Sequence, residues 1–165
     1  MTRRHRHCGF TLVEALTASV ILALCIVAVS VCMRAGHQAS QDAGQGRLAV
    51  KLAEELTEYI LSLPYYDDAG TQTPGPEAGE TGASAFDNAD DFHGYSDPEG
   101  TLTDMSGSAY PAEYQVFTRS VSAQYGSVSV AGLGGPVGGL TVVVQVNDRK
   151  GRTWEVTRFI PQPID

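Results

Sequence analysis

Few residues in this chain of 165 have types and spacing suited to chemistry, and most of them fall in two places. The first is Gly9-Phe10-Thr11-Leu12-Val13-Glu14, where a carboxylate interrupts an otherwise apolar run. At the centre of a bilayer a charged side chain costs about 2.5–3.5 kcal/mol on insertion scales. Glu14 lies instead in the first helical turn, where the positive end of the helix dipole stabilises an anion by about 0.3–1 kcal/mol. The second place is the acidic set Asp87, Asp90, Asp91, Asp97 and Glu99, close enough in sequence to supply oxygen ligands to one hard cation such as calcium. Their spacing is not that of an EF-hand loop, and a merely solvated acidic loop is the competing reading.

No constellation for catalysis accompanies them. His5 and His7 stand in a basic N-terminal stretch, His37 just past the apolar run and His93 in the acidic one. The serines have no G-x-S-x-G context. The glycines of GLGGPVGG at 132–139 lack the third glycine of a dinucleotide fingerprint at the required place and include Pro136. They read as a connection between strands. The three cysteines all lie within the first 32 residues, and an odd count confined there supports no disulfide framework.

These residues need elements to hold them. From Ala15 to Met33 there are 19 residues without a charge. That is close to the roughly 20 apolar residues needed to cross a bilayer, and longer than the 7–15 of a cleavable signal. Arg3, Arg4 and Arg6 precede this run, so the positive-inside bias puts the N-terminus in the cytoplasm. Beyond Gly9 there are 8 basic residues against 19 acidic ones. Such a surface lacks the positive charge that phosphate backbones require, so no nucleic-acid partner is expected.

The basic stretch ending in Gly9, the aromatic Phe10, the sequence Thr11-Leu12-Val13-Glu14 and the apolar helix together resemble the N-terminus of type IV prepilins and pseudopilins. The resemblance implies cleavage by a prepilin peptidase after Gly9, N-methylation of Phe10, and an apolar helix that serves first as membrane anchor and then as filament core. It makes Glu14 the fifth mature residue, whose carboxylate attracts the freed ammonium of Phe10 on a neighbouring subunit. A second, softer likeness joins the DDFHGYS stretch to an acidic, aromatic segment of some PilV-like minor pilins.

Beyond Arg34, apolar positions 48, 52, 56, 59, 60 and 63 follow helical spacing, with Glu54, Glu55 and Glu58 on the other face, and Pro64 ends the pattern. Gly36, Gly44 and Gly46 each weaken a helix by about 1 kcal/mol relative to Ala. The alternatives are one long helix with a soft middle or two helices in line. The pilin resemblance favours the long version. Residues 65–104 carry ten acids and no Lys or Arg, and they read as an exposed loop, better ordered around FDNADDFHGYSDPEG. Leu140, Val142, Val144 and Val146 alternate as a strand, 147–151 makes a turn, and Thr153–Ile160 returns with Trp154, Val156 and Ile160 on one face. The run 113–125 is strand-like, with a slip near Val116 and Phe117 that suggests a bulge.

The expected fold is α+β. It has a leader over 1–9, a membrane and filament-core helix over 10–34, its amphipathic continuation over 35–63, an acidic loop region over 64–111 and an antiparallel sheet over 112–165. The amphipathic helix covers the apolar face of the sheet, with Trp154 in the core. The expected function is that of a minor pilin or pseudopilin of a type IV pilus or type II secretion pseudopilus. It is anchored once in the inner membrane with its head outside, and it is not an enzyme. The expected partners are prepilin peptidase, other pilin subunits, the inner-membrane assembly platform and lipid. No cofactor is required, and calcium is the one candidate. The rival is a single-pass signal-anchor protein whose exported domain is a binding module, calcium-dependent or not.

Overall fold

The computed structural model describes residues 10–65, 73–129, 132 and 135–163. The chain divides between Gly44 and Gln45 into two compact units. One helix, α1 (Leu12–Leu61), is assigned without interruption through Gly36, Gly44 and Gly46. It is followed by β1 (Ser96–Asp97), β2 (Phe117–Ser129), β3 (Pro136–Asp148) and β4 (Thr153–Pro161), which form one antiparallel sheet in the order β1-β2-β3-β4. This is the α+β arrangement expected from the sequence.

Within the second unit, the two periodicities meet. Helical positions Ala49, Leu52, Ala53, Leu56, Thr57 and Ile60 are buried, as the 3.6-residue period requires of one face. On β3 the buried apolar side chains are Leu140, Val142, Val144 and Val146, the period-2 face of a strand. Cross-strand neighbours complete that face, with Val144 opposite Val121 and Val156, and Val146 opposite Arg119 and Trp154. The buried apolar side chains among these form one core, with Trp154 and Val156 packed against it. Trp154 stands at its margin, half-buried, edge-on to Phe117 at 6.0 Å between ring centres.

Three features depart from the expectations. β2 starts at Phe117, and residues 112–116 before it are turns in which Tyr114 N donates to Pro111 O (2.9 Å) and Phe117 N to Tyr114 O (3.2 Å). The slip at Val116 therefore marks the end of a turn and not a bulge. Pro136, Val137, Gly138 and Gly139 belong to β3, paired with Ser129, Val128, Ser127 and Gly126, so part of the glycine-rich connection is strand. Its residues 133 and 134, like 130 and 131 ahead of it, lie outside the described residues. Finally, the acidic stretch is not uniformly exposed. Ala89, Phe92 and Leu102 are fully buried, and Phe92 meets the rings of Phe86 (4.9 Å), Tyr95 (5.5 Å) and Tyr59 of α1 (6.0 Å) edge to face. The aromatics override the composition, because edge-to-face clusters add to the area they bury.

That stretch is stitched to the sheet by charge. Arg119 on β2 is 1% exposed and lies directly opposite Asp97 on β1. Its Nε and Nη2 donate to Asp97 Oδ2 at 2.9 and 2.6 Å, and Nη2 also donates to Thr103 O at 3.1 Å. Tyr95 Oη donates to Asp97 Oδ1 at 2.7 Å. Burial and the neighbouring Asp97 carboxylate push the Tyr95 hydroxyl up to about 12. Burial acts to lower the Arg119 pKa, but the Asp97 charge outweighs it and the net direction is upward.

Breaking such a pair on one side leaves a buried charge uncompensated. Asp97→Asn is expected to cost about 3–5 kcal/mol of unfolding free energy, measured by chemical denaturation of the full chain in detergent. Glu99→Gln removes the partner of Arg149 in an exposed pair and should leave the denaturation midpoint near wild type, as surface pairs usually do. Gly139 generates a further expectation, because a Cβ there would meet Ile160 O at 2.3 Å and the Phe159 ring at 2.4 Å. Gly139→Ala should destabilise by about 1–3 kcal/mol through overpacking, read in the same assay.

Candidate functional site

The first unit offers a surface unlike the rest of the protein. From Phe10 to Met33 the apolar side chains of α1 are exposed, among them Leu12, Val13, Leu16, Val20, Ile21, Leu24, Val27 and Val31. This helix is long and apolar enough to cross a membrane. Exposure of this kind in water would be a liability, whereas in lipid or among like helices it is the packing surface.

The polar side chains within that run are satisfied by the helix itself. Thr17 Oγ1 donates to Val13 O at 3.0 Å, Ser19 Oγ to Leu16 O at 2.8 Å and Ser30 Oγ to Ile26 O at 2.7 Å. Such back-bonding removes the cost of presenting a hydroxyl to hydrocarbon. Cys25 and Cys32 are free thiols, exposed seven residues apart on the helix surface.

At the helix start, Thr11 and Glu14 form a reciprocal cap. Glu14 N donates to Thr11 Oγ1 at 3.3 Å, while Glu14 Oε2 accepts from Thr11 N at 3.2 Å and from Thr11 Oγ1 at 3.1 Å. This is the capping box, in which two otherwise orphaned amide donors of a helix N-terminus are paired. Both the helix dipole and the cap favour the Glu14 carboxylate at this position. The signal was available in the sequence as Thr11-x-x-Glu14 just ahead of an apolar run. Phe10, next to the cap, is 82% exposed. Gly9 and the basic leader lie outside the described residues.

The five acids singled out for a cation do not come together. Asp97 is taken up by Arg119 and Tyr95. Glu99 pairs with Arg149, whose guanidinium holds its carboxyl below the ordinary range. Asp91 Oδ2 accepts the backbone N–H groups of Asp87 and Asn88, each at 3.0 Å, and so closes a turn. Asp90, also buried, approaches the Tyr125 hydroxyl, and burial together with Asp90 raises the pKa of that tyrosine. The set of five is therefore corrected: sequence proximity suggested one site, but the fold distributes these residues over a buried pair, a surface pair and a turn. Among the described residues, the acidic oxygens that do converge are those of Glu77, Glu80 and Asp91, within 4.8 Å of one another. Burial first, then Glu80 and Asp91, pushes the Glu77 carboxyl up to about 7.

The second unit also has an open cavity of about 340 Å³ lined by Glu55, Leu56, Glu58, Tyr59, Met105, Tyr110 and Arg119. Its one cation, Arg119, is committed to Asp97. Burial and Glu55 push the Tyr110 hydroxyl there up to about 12. His93 Nδ1 accepts from Ala123 N at 3.2 Å, a structural role beside the sheet.

Comparison with known proteins reaches only the N-terminal region. No curated protein and no solved structure matches the chain. A family model described as the prokaryotic N-terminal methylation motif matches residues 4–30, which hold Gly9, Phe10, the Thr11–Glu14 cap and most of the apolar run. On that match, residues 4–30 of this chain carry a type IV prepilin-like N-terminal methylation motif.

Proposed function

We propose that the chain is a minor pilin or pseudopilin, a structural subunit of a type IV pilus or of a type II secretion pseudopilus. The observation that carries this reading is the methylation motif at residues 4–30, joined to an apolar helix whose side chains have no cover of their own. Prepilin peptidase cuts after Gly9 on the cytoplasmic side, and Phe10 becomes the methylated N-terminus. The helix then stays in the inner membrane as a single-pass anchor with the acidic sheet unit outside. The assembly platform moves it into a filament, where the exposed apolar side chains pack on those of neighbouring subunits.

Glu14 links the two stages. In the isolated chain its carboxylate is held by Thr11, so it enters the membrane interface without an unsatisfied charge. On docking, the freed ammonium of a neighbour's Phe10 offers a stronger, oppositely charged partner. In a low-dielectric bundle the two charges offset each other's desolvation only when both are present.

Intact-mass and N-terminal peptide analysis of the protein from its native membranes is the first test. The expected chain starts at Phe10 and carries one extra methyl group. A chain that retains Met1 or Thr2, or that is cut after the apolar run, would remove this reading in favour of a signal-anchored binding module. Gly9→Ala is expected to block or strongly slow that cleavage. Glu14→Gln separates charge from capping, because a Gln still completes the box with Thr11. It should be processed like wild type and enter filaments poorly, as should Glu14→Ala. Normal incorporation of Glu14→Gln, scored by immunoblot of sheared filaments, would reduce Glu14 to a helix cap.

A further inference from the structure

Outside the helix the fold gathers three acidic side chains that the proposed function leaves without a role. Glu77 and Glu80 occupy a turn in which Glu80 N donates to Glu77 O (3.1 Å) and Glu77 N donates back to Glu80 Oε2 (2.9 Å). Asp91 closes a second turn through its Oδ2, which takes the N–H groups of Asp87 and Asn88. The two turns face each other so that ligand-type oxygens of all three residues lie within 4.8 Å.

A cluster of acids is common at protein surfaces, but this one contains a member sealed from water. Asp91 is 0% exposed, and its Oδ1 is a buried oxygen with no hydrogen-bond donor. With Oδ2 committed to the turn, Oδ1 is the atom left for the cluster. A buried acceptor without a partner costs about 1–3 kcal/mol and more when it is charged. Its neighbours Glu77 and Glu80 are also carboxyls, and residues 65–104 contain no Lys or Arg. Three carboxylates at this separation repel one another strongly unless a positive charge stands between them.

We propose that Glu77, Glu80 and Asp91 bind one hard divalent cation of the calcium class, joining the 77–80 turn to the buried 87–91 turn. The donor set decides the class, being all oxygen with neither thiolate nor imidazole, and so unsuited to zinc or copper. Calcium accepts six to eight oxygens in irregular arrangements, including bidentate carboxylates, carbonyls and waters, whereas magnesium demands a near-ideal octahedron. Without the cation the cluster holds a proton instead, in keeping with the raised Glu77 carboxyl. The inference stands apart from the pilin reading, since it uses none of residues 4–30. It changes the ligands expected from sequence, keeping Asp91 and replacing the other four by Glu77 and Glu80.

The test uses the full chain in detergent micelles, stripped with a chelator and titrated with calcium chloride. Calorimetry is expected to give one calcium per chain, and the thermal unfolding midpoint should rise as calcium saturates the folded state. Glu77→Gln and Asp91→Asn should each weaken binding by more than about tenfold, as loss of one carboxylate ligand from a small set implies. Asp91→Asn also touches the turn, so Glu77→Gln, altered from the half-buried side, keeps the test independent of folding. Glu113→Gln, an exposed acid elsewhere, should bind as wild type. The proposal is overturned if wild type shows neither saturable heat nor a midpoint shift up to about 10⁻² M calcium, above the 10⁻⁴–10⁻³ M range of weak extracellular sites. It is equally overturned if Glu77→Gln binds as tightly as wild type.

Discussion

The apolar face made by Leu140, Val142, Val144 and Val146 must be covered, and the face presented by Ala49, Leu52, Ala53, Leu56 and Ile60 covers it. Burial of apolar area is the dominant favourable term in folding, and most of the other tertiary contacts of the second unit follow from this pairing. β2 and β4 flank β3 and extend its face through Val121, Ala123 and Val156. The aromatic cluster around Phe92 closes one side by meeting Tyr59 of the helix. Gln45 lies at the start of the covered region, where its side chain accepts from Arg152 of the β3–β4 hairpin. That hairpin is shaped by Asp148, whose Oδ1 takes the N–H groups of Lys150 and Arg152 at 2.9 Å each, and by Gly151 at φ +75°.

One helix thus serves two environments. Between Phe10 and Met33 it is apolar on all sides and every large side chain is exposed. From Ala49 onward it is apolar on one face alone, with Glu54, Glu55 and Glu58 off the buried face. The change in pattern falls near the division of the chain at Gly44. The physical consequence is that the second half finds its partner within its own chain, whereas the first half has to find one elsewhere, in lipid or in other subunits. The proposed assembly into a filament would meet that requirement, and the methylation motif at residues 4–30 is in keeping with it.

Charge is used differently in the two units. In the apolar stretch of the helix up to Met33 the one carboxylate, Glu14, is held by a cap at the N-terminus, where dipole and hydrogen bonds favour an anion. In the sheet unit, acids act as fasteners for a chain segment with little regular structure. Asp97 locks β1 to β2 through Arg119, Glu99 reaches Arg149, Asp104 caps the turn at Ser106 and Ser108, and Asp91 closes the turn ahead of Phe92. Their abundance in residues 65–104 is therefore only partly a matter of solvation.

The N-terminal motif, the apolar run and the alternating strand over 140–146 were legible in the sequence because each depends on local order. A cap needs two residues three apart, a helix or strand needs a period, and a charge bias needs only a count. The continuity of α1 through three glycines was not decidable from propensity, since each glycine costs about 1 kcal/mol and tertiary burial from Ala49 to Ile60 supports the helix beyond the last of them. The start of β2 was likewise hidden, because the turns over 112–116 read as a defect in an alternating pattern. Least legible were the partners of the acids. That Asp97 meets Arg119 across 22 positions, or that Glu77 meets Asp91, depends on where the folded chain brings them. Composition announced only that the segment was acidic. The tertiary structure decided which acids are buried, which are paired and which converge, because side-chain electrostatics acts through space and the sequence orders residues only along the chain.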